Sequence, residues 1–152
     1  MLVSRQWFGV AGPGQPEPAS FGDSLWQIEQ FVYDLVERQD GSALPYLLGY
    51  KEGGTLALAA ASVLPDRLAG VISIGGYVPR IPGWSPPFDD LGGLPILLVA
   101  APAHAAASAA ARSLRRRNAD VARASVRDAP SLEGGVAAAV RAWLEARDAV
   151  TP

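Results

Sequence analysis

The sequence predicts an α/β fold, three layers α/β/α around a mostly parallel sheet. Three observations carry this: short apolar runs of Leu, Ile and Val bounded by glycine or proline, helical stretches alternating with them, and 49% hydrophobic against 18% charged residues in a chain of 152. Apolar runs without polar alternation are typical of parallel strands covered on both faces. Strand and helix in alternation imply crossovers that lay helices on the sheet. This length fits one domain, 1–152.

Along the chain, Met1 to Val10 reads as a short strand or extended arm, and Gly12 to Pro18, dense in proline and glycine, as a loop. Ser24 precedes Leu25, Ile28, Val32 and Leu35 at helical spacing, with Gln27 where a capping-box partner belongs and Gly41 as the stop, so a helix is predicted over Ser24 to Arg38. Buried strands are predicted at Leu44 to Gly49, Gly70 to Gly75 and Leu94 to Ala101, with a weaker one at Val121 to Val126. Helices are predicted at Gly53 to Leu64, Ala105 to Arg117 and Leu132 to Arg147. Tyr77 to Gly93, where Pro79, Pro82, Pro86 and Pro87 are interleaved with Trp84 and Phe88, is predicted to be a lid-like loop over the carboxyl ends of the strands.

Composition excludes several function classes. A net charge of −2 gives no electrostatic lure for nucleic acid or anionic membrane, so neither is expected as a partner. With no cysteine and a single histidine, His104, no disulfide, thiol nucleophile or Cys/His metal site is available, and no metal or other cofactor is expected. The first residues lack the pattern of a secretion signal and no long unbroken apolar run follows, so a cytoplasmic protein is expected.

The chemistry-bearing stretch is Leu47-Leu48-Gly49-Tyr50-Lys51-Glu52-Gly53-Gly54-Thr55-Leu56-Ala57-Leu58, an apolar strand, a glycine-flanked turn and a small-residue helix. That is the architecture of a nucleophile elbow, with Gly49 and Gly53 expected to be required by the tightness of the turn and Lys51 at its apex. Here the sequence resembles the α/β-hydrolase superfamily, most closely its phospholipase/carboxylesterase and acyl-thioesterase branch, whose elbow commonly reads Gly-Phe-Ser-Gln-Gly-Gly. The resemblance continues through Pro65 to Tyr77 and the final strand and helix, and reaches back to Ser4-Arg5-Gln6-Trp7-Phe8.

The departures bear on function. Where the resemblance implies a serine, the chain has Lys51. Where it implies an aspartate after the third strand, the chain has Ala101-Pro102-Ala103-His104-Ala105. Where it implies a histidine before the last helix, the chain has Arg127-Asp128-Ala129-Pro130-Ser131. The loop supplying one oxyanion donor would lie upstream of Met1, leaving the backbone N–H of Glu52 as the donor implied. Acyl-ester hydrolysis needs hydroxyl, base, acid and oxyanion donors together, so the expectation is a catalytically degenerate homologue, a pseudo-esterase acting in binding or assembly. The alternative is a residual or repurposed carboxylic-ester or thioester hydrolase using Lys51, His104 or a serine such as Ser131.

Lys51 is the single lysine among 13 basic residues. Three readings stand: an inert substitution, a lysine binding an anion or carboxylate, and an activated amine in covalent chemistry. A rearranged cluster of Lys51, His104 and Asp128 stands beside the plainer reading of a helix-start histidine and a loop aspartate. Asp89-Asp90 and Arg115-Arg116-Arg117 read as solvated charge or helix-end charge rather than as ion sites. Lys51, Glu52, Tyr77, Trp84 and Phe88 are the candidate binding residues for a small anionic or acyl ligand. In the resembled fold the strand before the elbow is central. Here Pro45 to Gly49 is expected to be an edge, covered by a second copy in a homodimer, by a related hydrolase subunit, or by the Met1 to Val10 arm.

Overall fold

The computed structural model describes residues 6–127 and 135–149. A parallel sheet of order β3-β4-β5-β6 is formed by β3 (Tyr46–Tyr50), β4 (Gly70–Ile74), β5 (Pro95–Ala100) and β6 (Asp120–Ser125). The helices are α1 (Pro18–Arg38), α2 (Glu52–Val63), α3 (Ala105–Arg116) and α4 (Gly135–Asp148). The predicted α/β fold and its alternation hold, with strand ends displaced by a residue or two.

Side-chain alternation along the strands separates two cores. Val71, Ile96 and Leu98 meet α2, α3 and the far half of α1, whereas Ile72, Ile74, Leu97 and Val99 meet Val136 of α4. Every residue of β4 is buried, as a strand covered on both faces requires. Helix α2, apolar on all sides at Leu56 to Ala61, lies between α1 and the sheet with those residues at most 1% exposed. A helix without a polar face is stable only when enclosed in this way.

Two expectations at the N-terminal end need correcting. Helix α1 starts at Pro18, not Ser24: Pro18 has a preset helical φ, and the Glu17 carboxylate accepts hydrogen bonds from the N–H groups of Ala19 and Ser20 at 2.9 and 2.8 Å. Ser24 is inside the helix, where its hydroxyl donates to the Trp7 carbonyl rather than capping. The proline-rich stretch is not wholly a loop either. Val10–Gly12 (β1) pairs antiparallel with Gln15–Pro16 (β2) through a turn in which Gly14 takes φ +68°.

Strand β3 pairs only with β4 among the described residues. The Lys51 N–H donates inward to Ile74 and the Pro45 carbonyl accepts inward from Ala69. Period-two alternation therefore turns the N–H and C=O groups of Tyr46, Leu48 and Tyr50 outward, to an open edge. Arm residues 1–5 lie outside the described residues.

Candidate functional site

Between β3 and α2 the chain reverses within one residue. Lys51 has φ +52° and ψ −115°, a conformation that L side chains rarely adopt and that costs roughly 1–3 kcal/mol. It is held from both sides: the Lys51 N–H donates to Ile74 at 2.8 Å, and its carbonyl accepts from Thr55 at 3.1 Å. This is the sharp strand-to-helix bend of a nucleophile elbow.

Contacts around the turn decide which glycines it needs. A Cβ on Gly49 would lie 1.9 Å from the Gly53 carbonyl oxygen, so that position admits only glycine. A Cβ on Gly53 would meet nothing nearer than the Trp7 indole nitrogen at 3.6 Å, so the expectation that the turn requires Gly53 is corrected. The crowded partners are Gly54 and Gly76, whose added Cβ atoms would fall 2.8 and 2.4 Å from the Ser73 hydroxyl. That hydroxyl donates to the Gly54 carbonyl at 3.0 Å, and the Tyr77 N–H donates to Thr55 Oγ1 at 3.2 Å, so α2 is fastened by its first turn to the end of β4. Sequence reasoning missed Gly54, Thr55, Ser73 and Gly76; the doublets Gly53-Gly54 and Gly75-Gly76 were the available signal.

The apex side chain is exposed, its ammonium 5.3 Å from the centroid of the Tyr50 ring. A cation over an aromatic face at an exposed site is worth about 0.5–1 kcal/mol. Glu52 does not pair with Lys51; its carboxylate accepts from the Trp7 N–H at 3.0 Å, tying the segment before β1 to the elbow. An acid at this position suits the positive end of α2, whereas the lysine beside it does not. Tyr77 is half-buried close by, and burial, with the Glu52 charge as a second cause, pushes its hydroxyl above the usual phenol range. Thr55 and Ser73, the hydroxyls behind the apex, are buried and engaged. Among the described residues no serine or threonine hydroxyl stands free at the bend.

The remaining candidates lie apart from this group. His104 is the N-cap of α3: its Nδ1 accepts from the Ala107 N–H at 3.2 Å. An imidazole whose Nδ1 is an acceptor carries its proton on Nε2 when neutral, so Nε2 is a donor and cannot also take a proton from a hydroxyl. No contact joins His104 to Lys51 among the described residues, and Asp128 and Ser131 fall outside them. Trp84 packs edge-on against Phe21 of α1, with centroids 6.4 Å apart. Phe88 sits where its carbonyl accepts from Arg117, whose guanidinium also donates to Ser62 in the last turn of α2. The Phe88 contacts lie at the end of the sheet opposite the elbow, whereas Trp84 packs beside the first turn of α1. Beyond Trp84 the loop descends to the start of β5, where Leu91 and Gly93 bond to Arg117 and Asn118, so Phe88 does not lie over the carboxyl ends of the strands. Of the five candidate binding residues, the structure brings together Lys51, Glu52 and Tyr77. Asp90 accepts from the Gly92 N–H and the Asn118 amide within this loop.

Below the elbow, a cavity of about 560 Å³ runs along the open edge of β3, lined by Trp7, Ile28, Phe31, Leu48 and Tyr50 among others. Among the described residues no group of His, Cys, Asp and Glu is arranged to hold a metal ion, and no helix is long and apolar enough to cross a membrane.

No protein-family model matches the chain, and no curated protein does. Solved structures do. A carboxylesterase from Mesorhizobium loti superposes with a TM-score of 0.76 at 22% identity, over 95% of this chain and 70% of that one. SOBER1 from Arabidopsis thaliana gives 0.76 at 17%, over 94% and 74%. The Bacillus cereus carboxylesterase gives 0.68 at 16%, over 92% and 68%. These likenesses show the fold: the chain has the α/β-hydrolase architecture of the carboxylesterases, as the elbow motif implied.

Proposed function

We propose that this hydrolase-fold chain does not hydrolyse esters through a serine triad and instead works as a binding or assembly module whose partner is a second copy of itself. The observation that carries the proposal is the elbow: a strained backbone position that serine hydrolases reserve for a nucleophile holds an exposed lysine, while the single histidine of the sequence spends Nδ1 on a helix cap. A nucleophile without a base to take its proton gives little rate, and here both roles are vacant among the described residues. The absence of cysteine is compatible with a cytoplasmic place of action.

Strand β3 supports the choice of partner. Its outward-facing residues, Tyr46, Leu48 and Tyr50, are arranged symmetrically about Leu48. Two copies related by a two-fold axis through Leu48 pair antiparallel, Tyr46 against Tyr50 and Leu48 against Leu48, and every outward N–H and C=O finds a partner. The flanking surface is apolar: Trp7 is 51% exposed, Phe31 64% and Tyr46 39%. At ~200 Å² per aromatic side chain, these three alone offer about 300 Å² per copy. The strand backbone, Leu48 and Ile28 extend that toward the ~1,200–2,000 Å² total of a stable interface. Light scattering on the purified chain at micromolar concentration is expected to give twice the monomer mass, and Leu48→Arg, at a site already half exposed, to give folded monomer. A wild-type monomer overturns self-association, and a Leu48→Arg dimer overturns the β3 edge as its seat.

A further inference from the structure

On the other side of the molecule from the β3 edge, the β1–β2 turn, the loop after β4 and one face of α3 enclose a groove of about 610 Å³. Its walls carry Arg80 from the loop and Arg112 and Arg116 from α3, with Ser113 and Tyr77 between them and alanines 106, 109 and 110 as the floor. No aspartate or glutamate lines it, in a chain whose net charge is −2.

The three guanidiniums have no protein partner among the described residues, unlike their neighbours. Arg115 donates to the Val121 carbonyl, and Arg117 donates to Ser62 and Phe88. Arg112 and Arg116 are one helical turn apart on the same face, a spacing at which like charges repel. Arg80 faces them from a wall whose position is fixed, because its N–H donates to the Gly14 carbonyl at 3.2 Å and the Tyr77 N–H donates to Thr55. Planar guanidinium forks carried by two walls of one groove suit a tetrahedral oxyanion, which accepts paired hydrogen bonds from each fork. The volume is that of a small-molecule site, and the alanine floor leaves room for an uncharged body beside the anion.

We infer that this groove binds the phosphate group of a small molecule, held between Arg80 on one wall and Arg112 and Arg116 on the other. Tyr77 borders both this groove and the elbow, but Lys51 and Glu52 are not among the lining residues, and the groove does not depend on the assembly proposed above.

Thermal shift and calorimetry with phenyl phosphate, inorganic phosphate and acetate, at matched ionic strength, test this. Ligand that binds only the native state raises the midpoint in proportion to ln(1 + [L]/Kd), so the order phenyl phosphate, inorganic phosphate, acetate is expected. Arg112→Ala/Arg116→Ala and, separately, Arg80→Ala should each weaken phenyl phosphate by about tenfold or more, and Arg112→Lys/Arg116→Lys, which keeps charge but loses the forks, should recover only part of that affinity. Arg141→Ala on α4 should bind like the parent. All the altered arginines are exposed, so the variants are expected to melt within a few degrees of the parent without ligand. Phosphates that stabilise no better than chloride, or binding that survives both alanine variants, would overturn the assignment.

Discussion

Two glycines flank the elbow apex at equal distances in sequence, and the structure assigns them opposite responses to the same substitution. In Gly49→Ala the new methyl would stand 1.9 Å from the Gly53 carbonyl oxygen and 2.2 Å from its carbon. Ordinary contact begins near 3.4 Å, so backbone has to move by more than an ångström, and no flexible side chain can yield instead. Overpacking of a rigid interior costs typically 1–3 kcal/mol and sometimes more, and this site belongs at the upper end, about 3 kcal/mol. A domain of this size loses about 2–4 °C of midpoint per kcal/mol, so melting should fall by about 6–12 °C. In Gly53→Ala the methyl meets only the Trp7 indole at 3.6 Å, inside the first turn of α2. Replacing a helical glycine at an unstrained site stabilises by about 0.4–1 kcal/mol, a rise of ~1–4 °C. Differential scanning calorimetry on both single variants, with circular dichroism to verify the fold, reads the difference. Equal midpoints, or the reverse order, would refute the packing account of the bend.

Other expectations follow from the same contacts. Lys51→Gly should raise stability by about 1 kcal/mol in urea titration, because glycine takes the positive φ freely and the lysine gains only an exposed ring contact. Ser73→Ala should cost about 0.5–1.5 kcal/mol, since it removes the hydrogen bond that fastens the first turn of α2 to β4 while the Gly54 carbonyl keeps its place in the helical ladder. Leu56→Ala, at a site with no exposure, should cost about 2–5 kcal/mol by cavity formation. Hydrogen bonds from Ser20 and Ala19 hold the Glu17 carboxyl below its ordinary value of 4.5. A carboxyl lowered in the folded state contributes stability above that value and loses it as pH falls through the folded one. The protection factors of the Ala19 and Ser20 amides should therefore fall selectively as pH falls below that range, and Glu17→Gln should remove that pH dependence.

The fold was legible because its signal is redundant. The runs through Ile72 and Leu97 are apolar enough to require cover on both faces, and the all-apolar α2 had to lie inside. The start of α1 was misread because Ser24 and Gln27 mimic a capping box, whereas Glu17 followed by Pro18 does the capping about two turns earlier. The elbow apex was legible at Lys51 because strand, turn and helix meet there in sequence. The roles of Ser73 and Gly76 were not, since both act between the end of β4 and the first turn of α2 through contacts made only on folding. Trp84 and Phe88 were assigned to a lid from composition alone. Where such a loop goes is set by its anchors, Arg117 and Asn118, which lie far along the chain and cannot be inferred from proline content. Arg116 was read with Arg115 and Arg117 as solvated or helix-end charge and Arg112 was not singled out, because their sharing of a groove with Arg80 is set by the packing of α3 beside the loop after β4.

The most direct test of the account is to expose the intact protein to a fluorophosphonate and to p-nitrophenyl acetate, following covalent mass and turnover in the parent chain and in Lys51→Ala. No stoichiometric adduct, and hydrolysis no faster with either protein than buffer hydrolysis, is the predicted result. A single fluorophosphonate adduct on a serine, or turnover present in the parent and abolished by Lys51→Ala, would contradict it.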